Sequence, residues 1–252
     1  MDEAVFYESL MDCHDVKAAL VVGFAGDSWC AENNEFLTGL IPTRDWINAV
    51  AYCDLKRSVL SVNDLQQLHD QSFIGIALYV GEDEDTQGLE HIDDDCWRWL
   101  SDHRWLVSVN SQGKRWGLWP SILDRHGELR VVVSHLGLPP PVSSPSTDAG
   151  AVMADVTALA AYPGVHVKLS GFYALTDPGF DYPHEAAWPY VLALKDAFGI
   201  NRLLWGSDFS PHIDSLSFPQ TFGLFGKMPF LTDEDCDMIV GRNLLTLLNE
   251  VS

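Results

Sequence analysis

Apolar runs and amphipathic stretches alternate along the chain. Val16–Phe24, Asp45–Leu55, Phe73–Gly81, Arg104–Asn110, Leu129–Gly137, Gly164–Gly171 and Asn201–Asp208 read as strands. They are nearly continuous in apolar character, as parallel strands covered on both faces are. Helical patterns fall between them, over Glu3–His14, Asn33–Leu40, Trp119–Gly127, Ala149–Ala161, Ala186–Phe198 and Thr232–Glu250, the last as one or two helices. Ser61 is a natural N-cap for the helix SVNDLQQLHDQ, and Asp93–Asp95 place negative charge at the start of another. Strand and helix in repeated succession predict an α/β fold of the TIM-type (β/α) barrel, with residues 1–252 forming a single domain. The seven recognisable strands are one fewer than a closed barrel needs, and a helix stands where the first strand is expected. The stretch Gly137–Gly150, rich in Pro and Ser, reads as a loop at a strand's carboxyl end and a rim for an active site.

Charge narrows the partners. Lys and Arg total 15 against 36 Asp and Glu, a formal net charge of -21. A nucleic-acid partner would need a basic face, and an anionic membrane surface would repel this chain. No apolar run is long enough to span a bilayer, and the acidic, amphipathic first residues lack the features of a secretory signal. The five cysteines (Cys13, Cys30, Cys53, Cys96, Cys236) are scattered and never spaced C-x-x-C, which suits reduced thiols of a cytoplasmic protein. The adjacent Cys13 and His14 point to different faces of a helix and make a poor chelate.

Strand ends carry the candidate chemistry. VVVSHLG brings His135, VHVKLSG brings Lys168 and Ser170, and RLLWGSDFSPH brings Asp208 with His212 shortly after. In a parallel barrel these ends meet at one mouth. A carboxylate there can activate water or bind a metal, and an imidazole can ligate a metal or polarise a carbonyl. Plainer roles stand beside these. Asp208 could cap a helix with Pro211 in its first turn, His135 could bond a loop carbonyl, and His212 could be a surface residue. Lys168 shares a strand face with His166 and Ser170, and if that face is interior it needs a counter-ion such as Asp208.

The stretches LRVVVSHLGLP, GVHVKLSGFY, FGINRLLWGSDFSPH and FLTDEDCDMIVGRNLLTLL resemble the amidohydrolase-related proteins of the metal-dependent TIM-barrel hydrolase superfamily. LMDCHDVKAALVVG and NNEFLTGL extend the resemblance over nearly the whole chain. That family includes lactonases of pyrone dicarboxylates and sugar lactones, and related decarboxylases. The resemblance implies Asp208 as the base for the attacking water or a metal ligand, and His135 in the substrate or metal site. Lys168 and Ser170 match a strand motif of the family, and Gly206 and Ser207 would shape the turn that exposes Asp208. Arg104, Arg115 and His212 are candidates for binding a substrate carboxylate, whereas Arg130 begins its strand, at the wrong end.

The departure from the family is at the beginning. No H-x-H motif is present, so the strand that carries two of the family's histidines is missing from the pattern. His135 and Asp208 alone give two ligands where catalytic zinc keeps three, so weak binding of a divalent metal such as zinc, or none, is expected. The leading expectation is a hydrolase opening a lactone or similar ester of a small carboxylate. A metal-dependent decarboxylase on the same barrel, and a truncated or catalytically compromised member acting as a binding or partner subunit, are the alternatives. Exposed barrel edges would favour a homo-oligomer in the last case.

Overall fold

The computed structural model describes residues 3–57, 59–209 and 216–251. Its frame is a parallel sheet in strand order β1 to β7: β1 (Ala19–Val22), β2 (Ile47–Tyr52), β3 (Gly75–Val80), β4 (Leu106–Ser111), β5 (Arg130–Val133), β6 (Val165–Leu169) and β7 (Leu203–Trp205). Each strand pairs in parallel with the next, as in Leu20↔Asn48, Ala77↔Ser108, Ser108↔Val132, Val132↔His166 and Lys168↔Leu204. Among the described residues β1 and β7 do not pair, so the sheet is a half-barrel with one open seam.

The register sorts the side chains into two sets, because successive residues of a strand point to opposite faces. The outward set, including Ala49, Ile76, Val107, Val131, Val167 and Leu203, packs under the helices in the larger apolar cluster. The inward set is smaller. Val50, Ala77, Leu106, Val132 and Leu204 meet Leu247, with Leu20, Val22, Leu244, Leu248 and Val251 packed against them. The last helix (Asn243–Glu250) therefore plugs the amino-end opening of the sheet, where Arg130 also lies 3.5 Å from Glu250. The inward face also carries polar groups, with Ser108 and His166 in register with Val132 and Lys168 in register with Leu204.

Helix ends follow the chemistry of their caps. Ser61 and Asp64 form a reciprocal capping box at the helix Val62–Asp70, as do Thr232 and Asp235 at Asp233–Asp237. The first helix (Glu3–His14) has the expected span. Other elements differ. Ala149–Ala161 is not one helix but Ala149–Val152 and Ala154–Ala158, broken at Met153 (φ -89°, ψ 1°), then a 3-10 turn at Leu159–Ala161. The closing helices are joined by a π-helical turn at Met238–Arg242. A helix at Asp83–Glu90 escapes the periodicity reading, since DEDTQGLE holds one apolar side chain, Leu89, and no stripe.

Candidate active site

The strands β5, β6 and β7 end sooner than the apolar runs suggest, and the candidate side chains stand on turns beyond them. β5 stops at Val133, and His135 follows with left-handed backbone, φ 51°. β7 stops at Trp205, and Asp208 is again left-handed, φ 45°. Such conformations are unfavourable for side chains with a Cβ and recur where geometry is held for function. β6 leads through Ser170 into Gly171 at φ 69°, where a Cβ would lie 2.7 Å from His135 Nδ1. Glycine is required there twice over, for the backbone and for the imidazole beside it.

These turns bring three of the candidates together. His135 Nδ1 is 2.9 Å from Ser170 Oγ and 3.7 Å from Asp208 Oδ2. Tyr173 donates its hydroxyl to the same Asp208 oxygen at 2.9 Å. Among the described residues no hydrogen bond is made to the other carboxylate oxygen. Tyr7, from the first helix, and Ser207, in the turn before Asp208, line the same cavity. Among the described residues His135 bonds no loop carbonyl, and the helix that Asp208 was expected to cap, with Pro211 in its first turn, lies outside them.

Lys168 faces inward, below this group. Its Nζ donates to Ser108 Oγ at 3.1 Å, and no carboxylate bonds it among the described residues. Burial lowers the amine from 10.5 to about 8, opposed by the charge of Asp208. Asp208 is therefore a counter-ion at a distance, not a bonded partner. Burial also lowers His135, with Asp208 pulling it upward and Lys168 pushing it further down, so the ring is neutral near pH 7. Tyr173 and Tyr79 are both pushed up, first by burial and then by Asp208. Tyr79 joins Phe24 and Tyr52 in an aromatic wall, with ring centroids 5.0 Å and 5.7 Å from it.

The remaining candidates separate by position. Arg115 follows β4 on the mouth side and donates to Asp83 at 3.0 Å. Arg104 precedes β4, so it lies at the sheet's amino end, exposed and opposite the mouth, where it cannot meet a substrate held by Asp208. His212 and Pro211 lie outside the described residues. Tyr173, Tyr79, Tyr52 and Ser108 were not singled out from the sequence. Period-two alternation places Tyr52, Tyr79 and Ser108 on the inner face with Lys168, a signal present in the sequence. Tyr173 carried none, since it stands on a four-residue helix (Phe172–Leu175) entered through the Gly171 turn.

A metal finds few donors. Among the described residues no group of three or more His, Cys, Asp or Glu side chains could hold an ion. His135 and Asp208 give two, one short of a catalytic zinc site. The described residues do not by themselves fit a zinc ion.

Comparison with known proteins agrees with this architecture. The model of the amidohydrolase family matches residues 22–248. An L-fucono-1,5-lactonase of Burkholderia ambifaria is 36% identical over 117 residues, which cover 46% of this chain and 37% of the lactonase. The match thus spans little more than a third of that relative's length. A crystal structure of an amidohydrolase from Burkholderia multivorans with bound zinc superposes with a TM-score of 0.78 at 20% identity, over 99% of this chain and 88% of the other. A putative 2-pyrone-4,6-dicarboxylic acid hydrolase of Pseudomonas putida gives 0.72 at 18% identity, over 97% and 86%. At such identities these structures establish the fold.

Proposed function

The chain belongs to the amidohydrolase family, and from that premise we propose that it is a lactone hydrolase, with Asp208 as the base that takes a proton from the attacking water. The observation that carries this is the placement of Asp208: one carboxylate oxygen is bound by Tyr173 at 2.9 Å, and His135 is 3.7 Å away at the same mouth. The partial relative, a sugar-lactone hydrolase, and the neighbouring fold named for a pyrone dicarboxylate support the substrate class.

The residues divide the work as follows. We take the neutral ring with its proton on Nε2, so that Nδ1 accepts from the Ser170 hydroxyl across their 2.9 Å contact. A neutral imidazole with that N–H can polarise the lactone carbonyl without surrendering its proton. Water attacks the carbonyl carbon as Asp208 accepts its proton through the oxygen that Tyr173 leaves open. The ring C–O bond then breaks, and the proton on Asp208 passes to the leaving alkoxide, giving a hydroxy acid. Lys168, protonated below about pH 8, supplies positive charge for a substrate carboxylate, and Arg115 is a second such group at the rim. No step is assigned to a metal, because the donor set does not complete a site.

A panel of sugar lactones and carboxylated unsaturated lactones, assayed with and without added zinc, tests the class. Asp208→Asn should lower kcat/KM by about a thousandfold while the circular dichroism and melting temperature stay close to the parent. Hydrolysis by this variant at the parent rate would remove Asp208 from the reaction.

A further inference from the structure

Three strands bury most of their side chains, yet each leaves one polar group partly accessible near its carboxyl end: Tyr52 of β2, Tyr79 of β3 and Asn110 of β4. All three face inward. On β4, Leu106 belongs to the inner cluster while Val107 and Val109 pack under the helices, so alternation turns Ser108 and Asn110 inward together. Ser108 agrees, since it holds the Lys168 amine at 3.1 Å. Tyr79 is in register with Asn110 and packs against the inner cluster. Tyr52 follows Ala51, a member of the outer set.

Asn110 borders the reacting groups on two sides. The Ser134 amide donates to the Val109 carbonyl at 2.8 Å, which fastens the residue before His135 to the residue before Asn110. On the other side stands Tyr79, whose hydroxyl is pushed up first by burial and then by the charge of Asp208, and so stays protonated. Among the described residues the Asn110 amide and the Tyr79 hydroxyl make no hydrogen bond. Half-buried polar groups of this kind are satisfied by water or by a ligand.

What these groups offer sets the chemistry of that ligand. An amide donates and accepts, a tyrosine hydroxyl does the same, and an alcohol answers both. A carboxylate only accepts, so the amide oxygen of Asn110 would face an anion with no proton between them. The ring of Phe24, its centroid 5.0 Å from that of Tyr79, adds an apolar surface for the C–H face of a saturated ring.

We infer that Asn110, with Tyr79 beside it, is a subsite for a ring hydroxyl, which makes hydroxylated, sugar-type lactones the substrate class of this mouth. The inference rests on the lactone-hydrolase reading and adds to it a specificity-determining residue.

The test measures binding to the full chain by calorimetry, using lactams that resist hydrolysis, so that turnover is not needed. Hydroxylated δ-lactams of gluco, galacto and manno configuration are compared with unsubstituted δ-valerolactam. The parent should bind at least one hydroxylated lactam about tenfold more tightly than δ-valerolactam. Asn110→Leu should shrink that ratio by about fivefold or more. Tyr79→Phe, which removes one oxygen and keeps the ring against Phe24, should shrink it too. A parent that binds no hydroxylated lactam would overturn the inference, as would a ratio that survives both variants or an equal loss of affinity for both kinds of lactam. Hydrolysis of the matching lactones without an Asn110-dependent ratio would remove the subsite and spare the hydrolase reading. An Asn110-dependent ratio without hydrolysis of any lactone would support the subsite and remove that reading.

Discussion

Two side chains with a Cβ, His135 and Asp208, hold left-handed backbone at the ends of their strands. Each such residue costs roughly 1 kcal/mol or more, and the cost is met by surrounding contacts: Ser170 on one, Tyr173 on the other. Ser170→Ala should therefore lower kcat about tenfold with little change in KM, because the imidazole loses the bond that fixes its tautomer; unchanged kinetics would mean the ring is oriented otherwise. Lys168 gives a separate reading through pH. Its amine titrates at about 8 in the folded chain against 10.5 ordinarily, so the native state releases the proton first. Between these values the unfolded chain holds more protons, and stability must rise with pH. Lys168→Met should remove this slope in urea denaturation and stabilise the protein near pH 7 by roughly 1–3 kcal/mol, a gain that vanishes above pH 10.5. The same titration should make kcat/KM of the parent fall as pH passes about 8, where Lys168 loses its charge.

Strand-to-turn junctions decide where the chemistry stands. The Gly171 turn is tight, with φ 69° and the His135 ring where a Cβ would fall. Gly171→Ala should destabilise the chain by roughly 1–3 kcal/mol and displace His135, which a lower melting temperature and a collapsed kcat would report. These junctions also mark the limit of what the sequence tells. Apolar runs identify every strand and bring His135, Lys168, Ser170 and Asp208 toward one end, because the period of a strand and the polarity of its tip are local properties. The left-handed turns are not local in that sense: nothing in SHLG or GSDF announces a positive φ at His135 or Asp208. Tyr173 escapes for the same reason, being placed by a turn and not by a period. The acidic helix Asp83–Glu90 was hidden because a capping box of Glu82 and Asp85, not an amphipathic stripe, marks its start, and the break at Met153 interrupts an otherwise helical pattern. Arg104 illustrates the opposite error, a residue of the right type whose end of the strand was misjudged.

The half-barrel as a body rests on two seals: the helices outside the sheet and the last helix beneath it. Leu247, 1% exposed, sits in the inner cluster with Val132 and Leu204. Leu247→Ala should cost about 2–5 kcal/mol, measured by chemical denaturation. A net charge of -21 makes the folded chain repel itself, so added salt should raise its melting temperature until the charges are screened over roughly 8 Å. Asp208 works at the opposite opening, and its role as a base can be separated from attack by the carboxylate itself. The decisive experiment is lactone hydrolysis in heavy-oxygen water, with enzyme in excess for the first turnover and then over many turnovers. Water activated by Asp208 puts the heavy oxygen into the product carboxylate at the first turnover and leaves the Asp208 peptide unlabelled throughout. Unlabelled first product, with label accumulating in the Asp208 carboxyl, would make that carboxylate the nucleophile and contradict the mechanism.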